Sequence, residues 1–180
     1  MMCQLFRYDV AMTTAPAEPR WLETPEHSAW RAYLDMTAKL SARLNRDMQQ
    51  QAGISSADYA VLVQLSEHVD ARMRVLELAR SLGWEKSRLS HQLTRMQQRG
   101  LIERSNCNED RRGAFILLTE KGRATVVAAA PRHVAAVRRY VFDELTAEQV
   151  AALDRISRTV ADVLDTSCES TEEVCDDPDG

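Results

Sequence analysis

Between Leu76 and Leu118 the apolar period changes once, and that change restricts the chain to few folds. Leu76, Leu78, Ala79 and Leu82 recur at helical spacing and stop at Gly83, a residue suited to the left-handed turn that closes a helix. A second helical run, residues 85–99, carries Leu89, Leu93 and Met96 on one face and closes at Gly100. The period then shortens. Leu101-Ile102-Glu103-Arg104-Ser105 and Ala114-Phe115-Ile116-Leu117-Leu118 read as two strands around the polar loop 106–113. Two short helices joined by a Gly-containing turn make a helix-turn-helix. A hairpin with a charged tip directly after it makes a wing.

The flanks are helical. Pro16, Pro19 and Pro25 punctuate a flexible segment, residues 1–25, in which Met12 offers an alternative start. Residues 26–51 carry Trp30, Tyr33, Leu34, Thr37, Leu40, Leu44 and Met48 at spacings of three and four, ending near Gly53. That is more apolar surface than a small domain covers, so part of it is expected to meet a partner. Ser55 or Ser56, with Asp58 following, forms a capping box ahead of Tyr59, Leu62, Val63 and Leu65. A turn at Asp70-Ala71-Arg72 leads to the short extended piece Met73-Arg74. Thr119 caps another helix, which Pro131 is expected to kink or break. Thr146 and Gln149 form a second capping box, opening a helix striped by Val150, Leu153, Ile156, Val160 and Leu164. The reading is a mostly α chain with a small β-wing. A flexible segment (1–25) precedes a dimerisation helix (26–54) and the winged helix-turn-helix (55–119); C-terminal dimerisation helices (120–165) and an acidic disordered tail (166–180) follow.

The 180 residues can bury one core, and no run approaches the roughly 20 apolar residues of a membrane span. No signal peptide is visible either, so a cytoplasmic protein is expected. Cys3, Cys107, Cys168 and Cys175 form no C-x-x-C pair and the four histidines are scattered, so neither a metal nor a cofactor is expected. No nucleophile elbow, metalloprotease helix or phosphate-cradling glycine loop points to an enzyme. The net charge of −4 conceals an asymmetry: residues 72–123 sum to +6, whereas residues 162–180 carry eight acids and no base. Of the 23 basic residues 20 are Arg, whose fork suits phosphate or guanine.

Base edges in a major groove are read by hydrogen bonds, so a recognition helix needs polar side chains opposite its core stripe. With Leu89, Leu93 and Met96 inward, Ser87, His91, Thr94 and Arg95 point outward. Lys86, Arg88 and Ser90 stand beside them, and Arg111 and Arg112 occupy the wing tip. Arg72, Arg74, Lys121 and Arg123 are candidate phosphate contacts. Trp84 reads as a core plug, and His68 and His133 as surface or interface residues. Cys107, on the wing, reads as an incidental small residue rather than a redox switch, since no resolving Cys lies near it in sequence.

The stretch from Ser81-Leu82-Gly83 through Arg99-Gly100-Leu101-Ile102-Glu103-Arg104 resembles the recognition region of MarR-family transcriptional regulators. Asp110-Arg111-Arg112-Gly113, then Leu118-Thr119 and Lys121-Gly122, resembles that family's wing signature. The resemblance covers residues 28–165 and implies a homodimer gripping a pseudo-palindromic operator in double-stranded DNA. It places Arg112 in the adjacent minor groove and Asp110 as the wing's internal partner. No Cys stands between Met12 and Asn106, where peroxide-sensing members carry theirs, and no ligand carries over. The expected function is a dimeric repressor released by a small-molecule effector. Trp30, Tyr33, Met36, Tyr59 and Val63 are the candidate pocket, although such residues equally form core. The alternative is a winged-helix adaptor acting through its acidic tail.

Overall fold

The computed structural model describes residues 20–105 and 114–172, the last six of these by backbone alone. The chain divides into two compact units, residues 1–38 and 39–180, and helix α1 (Thr24–Ala52) passes from one into the other. In the first unit Arg20 pairs with Glu23 and Glu26, and the Glu23 amide donates to Glu26 Oε2 at 2.8 Å, which ties down the helix start. Trp30 and Tyr33 stack there at a centroid distance of 5.6 Å, both about half exposed.

In the second unit α1 stops at Gly53, whose φ of +66° suits a residue without a Cβ. Helix α2 (Ser56–Glu67) opens with the expected capping box: Ser55 Oγ accepts from the Asp58 amide at 3.0 Å and Asp58 Oδ2 accepts from the Ser55 amide at 2.8 Å. Strand β1 (Arg72–Arg74), helix α3 (Val75–Leu82) and helix α4 (Lys86–Gln98) follow. Next come strands β2 (Ile102–Ser105) and β3 (Phe115–Leu118), then helix α5 (Glu120–Tyr140). A single 3₁₀ turn (Phe142–Glu144) leads into helix α6 (Ala147–Glu172). The core gathers Val61, Leu62 and Leu65 of α2, Leu78 of α3, Leu89, Leu93 and Met96 of α4, and Ile102 and Ile116 of the sheet.

Three features depart from the sequence expectation, and a fourth, at Pro131, removes one of its two alternatives. The extended piece Met73-Arg74 belongs to a third strand: β1 pairs antiparallel with β3, giving the order β1-β3-β2 with Met73 opposite Ile116. A run of three residues is too short for its period to announce a strand; its partner lies beyond two helices. Pro131 does not break α5. Its ring removes one helical hydrogen bond, but Pro131 and Val127, which carries the widowed carbonyl, are both exposed and that oxygen can bond water. Helix α6 runs to Glu172, past the expected boundary at 165, because no Gly or Pro interrupts it before Pro178. Leu76, expected on the apolar face of α3, is exposed.

The junction of α4, β2 and α5 is tight. Thr119 Oγ1 accepts from the Gly122 amide at 2.9 Å and lies 2.8 Å from the Gly100 carbonyl. A Cβ on Gly122 would collide with the Leu101 carbonyl oxygen, so only glycine lets the first turn of α5 approach β2 this closely.

Candidate nucleic-acid interface

Helix α4 is divided by chemistry. Leu89, Leu93 and Met96 are fully buried. Lys86, Ser87, Arg88, Ser90, His91, Thr94 and Arg95, the seven side chains read as the DNA-facing set, are all exposed. Glu85 is the N-cap of α4 and the first turn after it carries no further acid, so its carboxylate stands at the positive helix end beside Lys86 and Arg88. Arg88 lays its guanidinium 4.4 Å from the centre of the Trp84 ring, which holds the arginine against the turn before α4. Trp84 itself packs, partly buried, against the core.

Two carbonyl contacts join α4 to its surroundings. Ser90 O accepts from Thr94 Oγ1 at 3.0 Å and from Arg104 Nη2, on β2, at 3.2 Å. Lys121 Nζ donates to Arg99 O at 2.8 Å, so this lysine closes the C-terminal end of α4 instead of standing free for phosphate. Arg72 and Arg74 stand over the Phe115 ring at 5.3 and 4.7 Å. Arg111, Arg112, Asp110 and Cys107 lie outside the described residues.

A polar cluster that the apolar periodicity concealed lies under α4. Asp58 and Gln92 are each 3% exposed. Gln92 Nε2 donates to Asp58 Oδ1 at 2.6 Å, and Arg99 Nη1 donates to Asp58 Oδ2 at 2.7 Å. Arg99 Nη2 also reaches the Gly53 carbonyl at 2.9 Å, and Arg95 Nη2 donates to Gln92 Oε1 at 2.5 Å. The available sequence signal is Gln92 itself, a polar residue beside Leu89, Leu93 and Met96 on the inward face.

Of the five residues read as an effector pocket, two share a cavity. Tyr59 and Val63, with Leu44, Leu82 and His133, line an open cavity of about 420 Å³ between α1, α2, α3 and α5. Trp30, Tyr33 and Met36 sit in the first unit with much of their surface exposed. The Tyr59 and His133 rings meet at 4.7 Å. Burial raises the Tyr59 hydroxyl pKa, with a smaller push from Glu67, and burial lowers that of His133. His133, read as a surface or interface residue, is half-buried in the wall of this cavity. Among the described residues no three His, Cys, Asp or Glu side chains gather as metal ligands.

The MarR family model matches residues 54–113, from just after α1 to just before β3. AbsC, a MarR family transcriptional regulator from Streptomyces coelicolor, is 43% identical, with 82% of this chain and 99% of that one covered and a TM-score of 0.75. The chain belongs to the MarR family. Sco3205, a MarR family transcriptional regulator from the same organism solved in complex with DNA, is 41% identical over 81% of this chain and 92% of its own, with a TM-score of 0.76. The transcriptional repressor MprA of Escherichia coli K12 is 25% identical over 135 residues, 75% of this chain and 76% of that protein. This MarR-family chain is thus a transcriptional regulator with a winged helix fold, and the assignment favours DNA binding over an adaptor role for the acidic tail. No helix among the described residues is long and apolar enough to cross a membrane.

Proposed function

We propose that this MarR-family regulator is a cytoplasmic homodimeric repressor that reads a pseudo-palindromic operator through α4 and is released by a small-molecule effector. The exposed polar face of α4, from Lys86 to Arg95, opposite a fully buried apolar face, carries the reading. Arg111 and Arg112 of the wing would add contacts in the flanking minor groove. Support for repression comes from MprA, named a transcriptional repressor, and for DNA from the Sco3205 complex.

Uncovered apolar surface supports the dimer. Ile156 and Leu164 of α6 are 60% and 61% exposed, and Val160 and Val163 share that exposure. Burying each such side chain against a partner would contribute about 1.5–3 kcal/mol. Trp30, Tyr33 and Leu34 offer further apolar surface on α1. Under this reading residues 26–54 and 120–165 dimerise and residues 55–119 read DNA.

The effector reading rests on the cavity at Tyr59, Val63 and His133. Its wall is mostly apolar, with the Tyr59 and His133 rings and the polar Ser41, Ser56 and Gln64, and burial disfavours the charged form of both rings, which suits an uncharged aromatic molecule. A ligand favouring the conformation with the wrong spacing of reading helices would release DNA by shifting populations.

Fluorescence anisotropy on duplex DNA from upstream of its own gene, beside a scrambled duplex and across a salt series, tests the reading. Tight binding to the upstream duplex alone with a steep salt slope is expected. Absence of binding to either duplex at low salt would refute it.

A further inference from the structure

The Asp58 cluster reaches the reading face of α4 through one side chain. Asp58 is acceptor-only, and its two oxygens are occupied by Gln92, Arg99 and the Ser55 amide. Because a carboxylate takes only donors, it forces the Gln92 amide to present its NH₂ inward. The carbonyl end of that amide must then face the other way, and there it accepts from Arg95 Nη2. Arg95 is exposed and belongs to the DNA-facing set, whereas Gln92 and Asp58 are buried. The order of groups is therefore buried carboxylate, buried amide, exposed guanidinium.

An exposed arginine ordinarily samples many rotamers and loses that freedom when it docks on a base. A guanidinium already held by a fixed amide has lost part of it beforehand, and its remaining N–H donors point in a defined direction. The Arg99 branch fixes the carboxylate from the opposite side, since its second nitrogen is anchored on the Gly53 carbonyl at the end of α1. We infer that Asp58, acting through Gln92, is a positioning residue that aims Arg95 and so sets which base Arg95 selects. This rests on the reading of α4 as the helix that meets base edges.

The full-length protein tests it with two readouts. A random-sequence duplex pool selected on the wild type, on Arg95→Ala and on Gln92→Leu gives the base preference of each. Gln92→Leu preserves the net charge and most of the buried volume. It should relax preference about tenfold at the same base positions that Arg95→Ala relaxes, while its salt slope stays that of the wild type. Arg95→Ala should lower the slope by about one phosphate equivalent if the arginine also touches backbone. A Gln92→Leu profile identical to the wild type, or a uniform loss at every position, overturns the inference. The second readout uses no DNA: guanidinium N–H signals in NMR. Arg95 and Arg99 should both show restrained guanidinium groups in the wild type, and only Arg95 should lose restraint in Gln92→Leu, with Arg99 reporting that the fold persists. A freely rotating Arg95 in the wild type, or an Arg95 signal unchanged by Gln92→Leu, overturns the inference. If the wild type selects no sequence, the operator reading fails and the NMR result still decides the positioning.

Discussion

The Tyr140 hydroxyl donates to Asp47 Oδ2 at 2.6 Å, joining the end of α5 to the part of α1 within the second unit. Arg43 completes the group, with its Nε 2.9 Å from the same hydroxyl and 3.4 Å from Asp47 Oδ1. Asp47 is buried, and these two partners supply hydrogen-bond and ion-pair contacts to its oxygens. Tyr140→Phe removes both hydrogen bonds of the hydroxyl, the one to Asp47 and the one from Arg43, and keeps the ring that Arg43 overlies at 5.4 Å. The expected loss is about 1–3 kcal/mol, read as a lower urea midpoint with an unchanged slope. A midpoint equal to the wild type would show that Arg43 alone satisfies Asp47.

Gly122 offers a sharper test of packing. Alanine there would place a methyl group against the Leu101 carbonyl, and backbone cannot yield as a flexible side chain does. Gly122→Ala is expected to cost about 1–3 kcal/mol or more and to lower the thermal midpoint by several degrees. Gly53→Ala is the contrasting substitution: nothing stands within 4 Å of where its methyl group would sit, so only the positive φ opposes it and the loss should be smaller.

His133 gives stability a pH dependence whose sign follows from its lowered pKa. The folded chain holds the proton more weakly than the unfolded chain does, so between the two pKa values unfolding takes up protons. The neutral ring's contribution is complete above about pH 6.5 and is lost as pH falls through the folded-state value. His133→Gln should flatten that part of the profile between pH 8 and 5 in chemical denaturation, relative to the wild type. Parallel profiles for the two proteins would remove His133 as the cause.

The dimer proposal makes a surface prediction. Ile156→Glu with Val160→Glu puts two charges on the exposed apolar stripe of α6. The double variant should elute as a monomer in light-scattering chromatography, and its affinity for a two-half-site duplex should fall at least tenfold while binding to a single half-site persists. A dimer of wild-type mass would place the interface elsewhere.

Legibility differs by element. The helices carrying Leu89, Leu93 and Met96, or opening at Ser55, Thr119 and Thr146, are readable because their caps and stripes act within four residues. The two wing strands are readable through their apolar runs and the intervening charged loop. Strand β1 is not, since three residues cannot display a period and its pairing with β3 is set by tertiary contact. The exposed face of α4 follows from 100° geometry alone. The buried Asp58–Gln92 bond does not, because the partners lie 34 positions apart and Asp58 already has a complete local explanation as a cap. His133 escapes for a similar reason: a histidine after Pro131 in a mixed sequence gives no sign of the tyrosine ring it meets.

Strand β1 precedes α3 and α4 in the chain, yet the strand it pairs with, β3, follows them. A ribosome that has released the chain only as far as Ser105 has therefore delivered both helices of the helix-turn-helix but not the strand whose Ile116 lies opposite both Met73 and Arg104. Until Leu118 emerges, β1 and β2 are two edges without a centre, and Met73 and Ile102 lack the residues that stand across from them. The helix-turn-helix thus reaches its final form only once β3 has been made, and a transcript broken before this point yields a polypeptide with α4 but without the central strand of its sheet.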